Sequence, residues 1–464
     1  MHRINRILRL LLPAAVLAGG LSAALPASAG TAAAGPKTYT GTFKDGATYL
    51  IQVPAKWNGS LFLFSHGYVV PGTSNPAADA PDSVTASWML SHHYALAGSS
   101  YAGTGWAVAS ALPDQRHTLQ VFGSLVGAPT RTFAWGQSLG GMITAGLIQR
   151  YPGLFTAAAP MCGVLSGAVA TWNTALDSEF AFQQLIDPSV QVVNITNPGA
   201  NFVSAETAAA KAQKSARGRA RLALTSALAD TPGWFTPLSP EPSPTDYAAQ
   251  EQNQFEWGSQ VTFPFAFDLR AQVEQLAGGN PSWNTNVNYF QDLLKSADLN
   301  EVLALYRKAG LNLWKDLNTL NHATRISADP AAVKYLNQNI TYTGKLNIPV
   351  LSMHTVGDGL VVPENEQAFN ARVTAQGDSA LLRQVFVDRA GHCAFTAAEN
   401  ITLAKALVHR VNTGKWNNAA LTPTALNAQA TALGPTYNEL GGTAADPAFT
   451  AFTPAPYLRP ANRP

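Results

Sequence analysis

Ser138, Asp358 and His392 are the residues around which chemistry can be assembled in this chain. A serine hydroxyl is a weak nucleophile at neutral pH. A neutral imidazole must take its proton, and a carboxylate must fix the tautomer of that imidazole and stabilise the imidazolium. Ser138 stands in Gly136-Gln137-Ser138-Leu139-Gly140, a G-x-S-x-G spacing in which the flanking positions must lack side-chain bulk. Alone the pentapeptide is a weak signal, because any tight strand-to-helix turn uses the same glycines. Its neighbours strengthen it. Residues 131–135 suit a buried strand, and residues 142–148 run without a charge, as a helix buried against a sheet does. Asp358 lies in the turn Gly357-Asp358-Gly359 after an apolar stretch at 348–354. His392 follows Gly391 after another at 382–387.

Acyl-transfer chemistry also needs donors for a tetrahedral oxyanion. One is the backbone N–H of Leu139, directly after the serine. The other is expected from Gly67-Tyr68, the loop after an apolar strand that ends in His66. Asp378 and Asp388 compete with Asp358 for the carboxylate role. Asp378 falls in a connecting loop, and Asp388 too near a strand end. His354 reads as a core histidine or one that supports the site. His92, His93, His117, His322 and His409 have no partner that the sequence identifies. No metal and no cofactor is expected, because the histidines are scattered and no Gly-rich phosphate motif stands out.

The elements that must position these groups read in order. A hairpin is expected over 38–53, then a continuous apolar strand at 60–65, a helix at 84–92, a strand at 94–100, a helix at 115–126, and the serine strand and helix. A short strand at 155–161 follows. This alternation predicts an α/β fold, a mostly parallel sheet with helices on both faces. Its ligands should bind where the carboxyl ends of the strands meet. From 164 to 345 the alternation stops. A helix at 205–229, a Pro-rich connector at 230–247, and helices at 271–276, 289–295 and 300–308 are expected. The sheet pattern resumes at 346 with strands at 348–354 and 382–387 and helices at 364–375 and 396–412. The domain reading is therefore a signal peptide at 1–29, a core at 30–163 and 346–413, a helical cap inserted at 164–345, and an irregular tail at 414–464 that packs by Tyr437, Phe449, Phe452 and Tyr457.

The bulk properties narrow the classes. The chain has 464 residues, 12% of them charged, and a formal net charge of +2, without a basic run that would serve nucleic acid. Arg3, Arg6 and Arg9 precede an apolar segment and Ala27-Ser28-Ala29, the pattern of a secretory signal cleaved after Ala29. No later segment reads as a bilayer span. A secreted monomer without stable membrane insertion is expected. Two cysteines in an exported chain are expected to form one disulfide.

Together, Gly136-Gln137-Ser138-Leu139-Gly140-Gly141, His66-Gly67, Gly357-Asp358-Gly359 and Gly391-His392, in the order Ser, Asp, His, resemble the α/β-hydrolase superfamily over about residues 40–165 and 345–412. Ser99-Ser100-Tyr101 with Gly105-Trp106 resembles secreted actinobacterial hydrolases. His392-Cys393 resembles tannases and feruloyl esterases, in which that cysteine is bridged to one beside the serine. Here Gln137 occupies that neighbouring position, so the resemblance implies a bridge from Cys393 to Cys162 instead. It also implies a serine hydrolase acting on a small-molecule or polymeric carboxylic ester, with Ser138, Asp358 and His392 as its triad. The rival is an exopeptidase resembling prolyl aminopeptidases, which would hold a substrate amine with Glu251, Glu256 or Glu274. A binding protein on an inactive hydrolase fold is the non-enzymatic alternative.

Overall fold

The computed structural model describes residues 35–461. The signal segment expected over 1–29 lies outside the described residues. Nine strands form one sheet. In chain order the first eight are β1 (Lys37–Thr42), β2 (Thr48–Val53), β3 (Ser60–Ser65), β4 (Ala95–Ser99), β5 (Arg131–Gln137), β6 (Ala157–Met161), β7 (Val350–Gly357) and β8 (Leu382–Ala390). Across the sheet they run β1-β2-β4-β3-β5-β6-β7-β8, and the short strand Phe449–Thr450 closes the far edge. β1 and β2 pair antiparallel as the expected hairpin, and β2 pairs antiparallel with β4. From β4 to β8 every pairing is parallel. This is the α/β-hydrolase fold.

The central strands are buried throughout, as parallel strands covered on both faces must be. Successive side chains feed opposite layers. Leu61, Leu63 and Ala134 join the cluster under helices Val108–Leu125, Leu139–Arg150 and Glu364–Ala375. Phe62, Phe64, Phe133 and Trp135 join the cluster under Ser83–Ser91, Ala397–Thr413 and Pro423–Thr431. Phe62 and Phe133 stack at 4.5 Å in adjacent strands, an aromatic cross-strand pair that pins the register beside the serine.

The stretch between β6 and β7 carries no strand among the described residues. Its helices, from Ala168–Leu185 to Pro330–Asn339, hold two apolar clusters of their own, one around Phe180, Leu224, Tyr289 and Tyr306 and one around Phe182, Phe202 and Phe267.

Three expectations differ from the structure. The helix expected at 115–126 begins at Val108, because Pro113 sits inside it and Ala107 gives no side-chain capping bond to mark its start. The single helix expected at 205–229 is two, Pro198–Ala212 and Ala216–Ala227. Ser215 caps the second by accepting from the Gly218 amide. The tail at 414–464 is not irregular. It contributes helix Pro423–Thr431, started by Thr422 with Pro423 in the first turn, and the edge strand that pairs antiparallel with β8. That helix buries only Leu426 and Ala430, and the strand is two residues long, so neither imposes a readable period.

Candidate active site

The carboxyl ends of β5, β7 and β8 lie at one edge of the sheet, and each turn there delivers one group. Ser138 occupies the elbow with φ 59° and ψ −126°, a conformation that L-residues avoid. The elbow fits because its neighbours are glycine. A Cβ on Gly136 would stand 2.6 Å from the Ser65 carbonyl oxygen, and one on Gly140 only 1.9 Å from it. Strand β3 can therefore pass hard against the turn.

His392 Nε2 lies 2.7 Å from Ser138 Oγ, and its Nδ1 lies 2.7 Å from Asp358 Oδ2. With Nδ1–H donating to Asp358, Nε2 is left as the acceptor for the serine proton. Asp358 is fully buried, and its Oδ1 accepts from the amides of Leu360 and Val361, each at 3.0 Å. The three residues singled out in the sequence thus form one hydrogen-bonded chain. The competing acids stand elsewhere. Asp378 accepts from the Leu346 amide, and Asp388 is exposed.

The histidine turn is clamped from both sides. Arg389, before it, makes a two-pronged ion pair with Glu399, after it, at 2.7 and 3.1 Å. Glu399 also completes a capping box with Thr396. Thr355 Oγ1 donates to the Gly391 carbonyl at 2.8 Å. Cys393 is bonded to Cys162, at the end of β6, across 231 residues of chain. Its sulfur lies 3.5 Å from His392 Nε2.

His354 is buried below Asp358. Its Nδ1 is 3.2 Å from Glu366 Oε1, its Nε2 is 2.7 Å from the Val361 carbonyl and 3.6 Å from Asp358 Oδ2. Burial disfavours its charge, but Glu366, Asp358 and the Val361 carbonyl outweigh that and raise its pKa. It props the Asp358 turn and does not reach Ser138.

Leu139 and Gly67, two of the three residues expected to offer oxyanion donors, stand beside the serine. Leu139 opens its helix, where an amide has no intrahelical acceptor. Gly67 sits so near that a Cβ there would be 3.2 Å from Ser138 Cβ. His66 shapes this loop. Its ring stacks on Tyr101 at 4.1 Å, its Nε2 lies 3.1 Å from the Ser100 carbonyl, and Tyr101 Oη donates to the His66 carbonyl at 3.1 Å.

Above Ser138 lies a mostly apolar cavity of about 1100 Å³, part of it open to solvent. The core contributes Tyr68, Trp106 and Val361. The stretch between β6 and β7 contributes Trp172, Glu179, Phe182, Phe263, Phe265 and Phe267, and the tail contributes Tyr457. Of these, Tyr68, Trp106 and Tyr457 were singled out in the sequence, Tyr68 for its backbone amide and none of the three for this wall. The signal for the rest was faint. Trp172 and Glu179 lie seven residues apart on helix Ala168–Leu185, hence on one face. Phe263, Phe265 and Phe267 belong to a stretch with two π-helical turns, Gly258–Thr262 and Phe265–Leu269, whose period matches neither helix nor strand. Glu251, Glu256 and Glu274 do not line the cavity. Glu251 accepts from Gln213, Glu256 from Gln252, and Glu274 from the amides of Asn194 and Ile195 and from Arg270.

No family model matches the chain. It is similar to an o-phthalyl amidase from Xanthobacter agilis, with 28% identity over 425 residues, 84% of this chain and 90% of that protein. Among solved structures, an esterase from Aspergillus oryzae aligns at TM-score 0.40 with 12% identity over 82% of this chain and 80% of that one. A rice cell wall degrading esterase from Xanthomonas oryzae aligns at TM-score 0.35 with 15% identity over 81% and 88%. An acylaminoacyl peptidase from Pyrococcus horikoshii aligns at TM-score 0.34 with 10% identity over 77% of this chain, which spans only 37% of that protein. The fold itself rests on the strand order given above.

Proposed function

We propose that the chain is a serine hydrolase that cleaves carboxylic esters through an acyl-enzyme. The observation that carries this reading is the pair of 2.7 Å contacts joining Ser138, His392 and Asp358 at the foot of an apolar cavity. Ser138 Oγ attacks the carbonyl carbon while His392 Nε2 takes its proton. The carbonyl oxygen becomes an anion held by the Leu139 amide and by an amide of Gly67-Tyr68. As the intermediate collapses, the carbon–oxygen bond to the alcohol breaks, and His392 returns the proton to the leaving oxygen. Water then repeats the sequence on the acyl-enzyme.

A second reading, amide hydrolysis by the same triad, is favoured by the likeness to the o-phthalyl amidase. The aminopeptidase variant has less support. The carboxyl that lines the cavity is Glu179, and the Arg270 guanidinium 3.3 Å from it would repel a substrate ammonium. Purified protein should be assayed on p-nitrophenyl esters, neutral acyl anilides and aminoacyl anilides. Esters should turn over fastest, aminoacyl anilides slowest, and Ser138→Ala should lower every rate by at least about four orders of magnitude. A Ser138→Ala protein with undiminished esterase activity would refute the assignment. Export with cleavage after Ala29 is part of the proposal, and N-terminal sequencing of secreted protein should begin at Gly30.

A further inference from the structure

Four residues of the cavity wall hold a buried polar atom with no hydrogen-bond partner among the described residues: Tyr68 Oη, Trp106 Nε1, Trp172 Nε1 and Glu179 Oε1. Leaving such groups unmatched is costly, so a cluster of them on one cavity marks what a ligand supplies. Three of the four carry a hydrogen to donate, and the two indoles can only donate.

Glu179 decides the character of the cluster. It is 2% exposed, and its Oε2 lies 3.3 Å from Arg270 Nη1. Arg270 is already matched. Its Nε donates to Glu274 Oε1, whose carboxylate also takes the Asn194 and Ile195 amides, and its Nη2 donates to Asn280. Asp177, the other acid nearby, is paired with Arg459. Glu179 is thus a surplus carboxyl in this buried group. Burial pushes its pKa up to about 8, more than Arg270 pulls it down, and Glu274 and Asp177 add to the rise. A neutral Glu179 accepts from Arg270 through Oε2 and carries its proton on Oε1.

We infer that the cavity selects substrates whose acyl group bears a second oxygen acceptor, a carbonyl or carboxyl besides the one cleaved, and that Glu179 donates a hydrogen bond to it. This rests on the serine-hydrolase reading and specifies its substrate class. A purely hydrocarbon acyl group would leave all four polar atoms unmatched. A pocket built to hydrogen-bond its substrate discriminates against the analogue lacking the bonding atom.

The test compares p-nitrophenyl meta-acetylbenzoate with p-nitrophenyl meta-isopropylbenzoate, similar in shape but differing in one carbonyl. Each kcat/KM is divided by the rate of the same ester with hydroxide, which removes the difference in intrinsic reactivity. At pH 6 the wild type should prefer the acetyl ester about ten-fold. Glu179→Gln, which keeps a donor, should retain most of that preference, and Glu179→Met should reduce it to less than about three-fold. In the wild type alone the preference should shrink between pH 6 and pH 9.5 as Glu179 ionises, a readout that needs no variant. A wild type that labels at Ser138 with a fluorophosphonate yet shows no preference overturns the inference and leaves the hydrolase reading intact. A preference unchanged in Glu179→Met, or at pH 9.5, also overturns it. A chain that neither labels nor turns over either ester removes the hydrolase reading and this inference with it.

Discussion

The edge of the sheet and the interior of the helical stretch above it handle buried polarity in opposite ways. At the edge, the acid facing His392 and the acid that clamps its turn are matched. Asp358 takes His392 and two amides, and Glu399 takes both prongs of Arg389, the Thr396 amide and the Ala448 amide. Above it, acids are in surplus. Glu179, Glu251 and Glu301 each hold a buried oxygen without a partner among the described residues. Burial raises the pKa of Glu179 to about 8, Glu251 to about 7, Asp230 to about 7 and Glu301 to about 9. Matched charges hold one geometry, which a proton relay needs. Acids raised in this way give up their charge more readily and can respond to what enters or to pH.

The largest test of this contrast is at the matched end. Asp358→Asn keeps the shape of the side chain but offers an amide where a carboxylate now accepts from His392. The imidazole loses the partner that holds its tautomer, and kcat should fall about 10⁴-fold. Unchanged near-ultraviolet circular dichroism would show that the fall is chemical. A loss below about ten-fold would mean that the pairing at the edge is structural only.

Next is the bond that ties the histidine turn to β6. Replacing both Cys162 and Cys393 by alanine should lower stability by about 2–4 kcal/mol in urea unfolding. The Arg389–Glu399 pair still holds the turn, so activity below the transition should fall less than for Asp358→Asn. A double variant with the stability of the parent would show that the clamp at the base of the turn suffices.

The surplus acids predict a pH dependence. Their folded pKa values lie above the unfolded ones, so the folded chain binds their protons more tightly. Their contribution is full below the unfolded values, near pH 4, and is lost as pH rises through about 7 to 9. Stability should decline by at least about 3 kcal/mol between pH 5 and pH 9. Glu301→Gln, which carries no proton to lose, should flatten the high-pH part of the decline. A thermal midpoint that rises over this window would contradict the surplus.

The same contrast explains what could be read from the sequence. Residues 60–65, 131–137 and 350–357 are rich in apolar residues and run into glycine-containing turns, so strand, edge and reactive group were visible together. Each triad residue announces itself locally, as an elbow, a Gly-Asp-Gly turn and a Gly-His step. The cavity wall has no such signature. Trp106, Glu179, Phe265 and Tyr457 come from four separate stretches and meet only through packing. Glu179 in particular follows Asp177 and Ser178 on one helix, and nothing near it in sequence shows that Arg270 is already taken by Glu274.

The tail joins the two regions and gives the smallest test. Arg459 is paired with Asp177 and donates to the Trp283 carbonyl at 2.8 Å, both on the helical stretch, while the Tyr457 amide donates to Gln367 on the core at 3.2 Å. Tyr457 itself is buried in the cavity wall, with its Oη accepting from Thr174 at 3.1 Å. The Ala170 carbonyl, 3.2 Å from Thr174 Oγ1, is an alternative acceptor for the same hydrogen, so removing the phenol oxygen leaves no orphan there. Tyr457→Phe should therefore cost only about 1 kcal/mol in unfolding and leave the ring in place. Because the ring, not the oxygen, closes the wall, KM for apolar esters should stay within about three-fold of the parent while kcat is unchanged. A kcat loss approaching that of Asp358→Asn would mean that the tail sets the geometry of the triad, and the division between a matched edge and a responsive interior would have to be redrawn to include it.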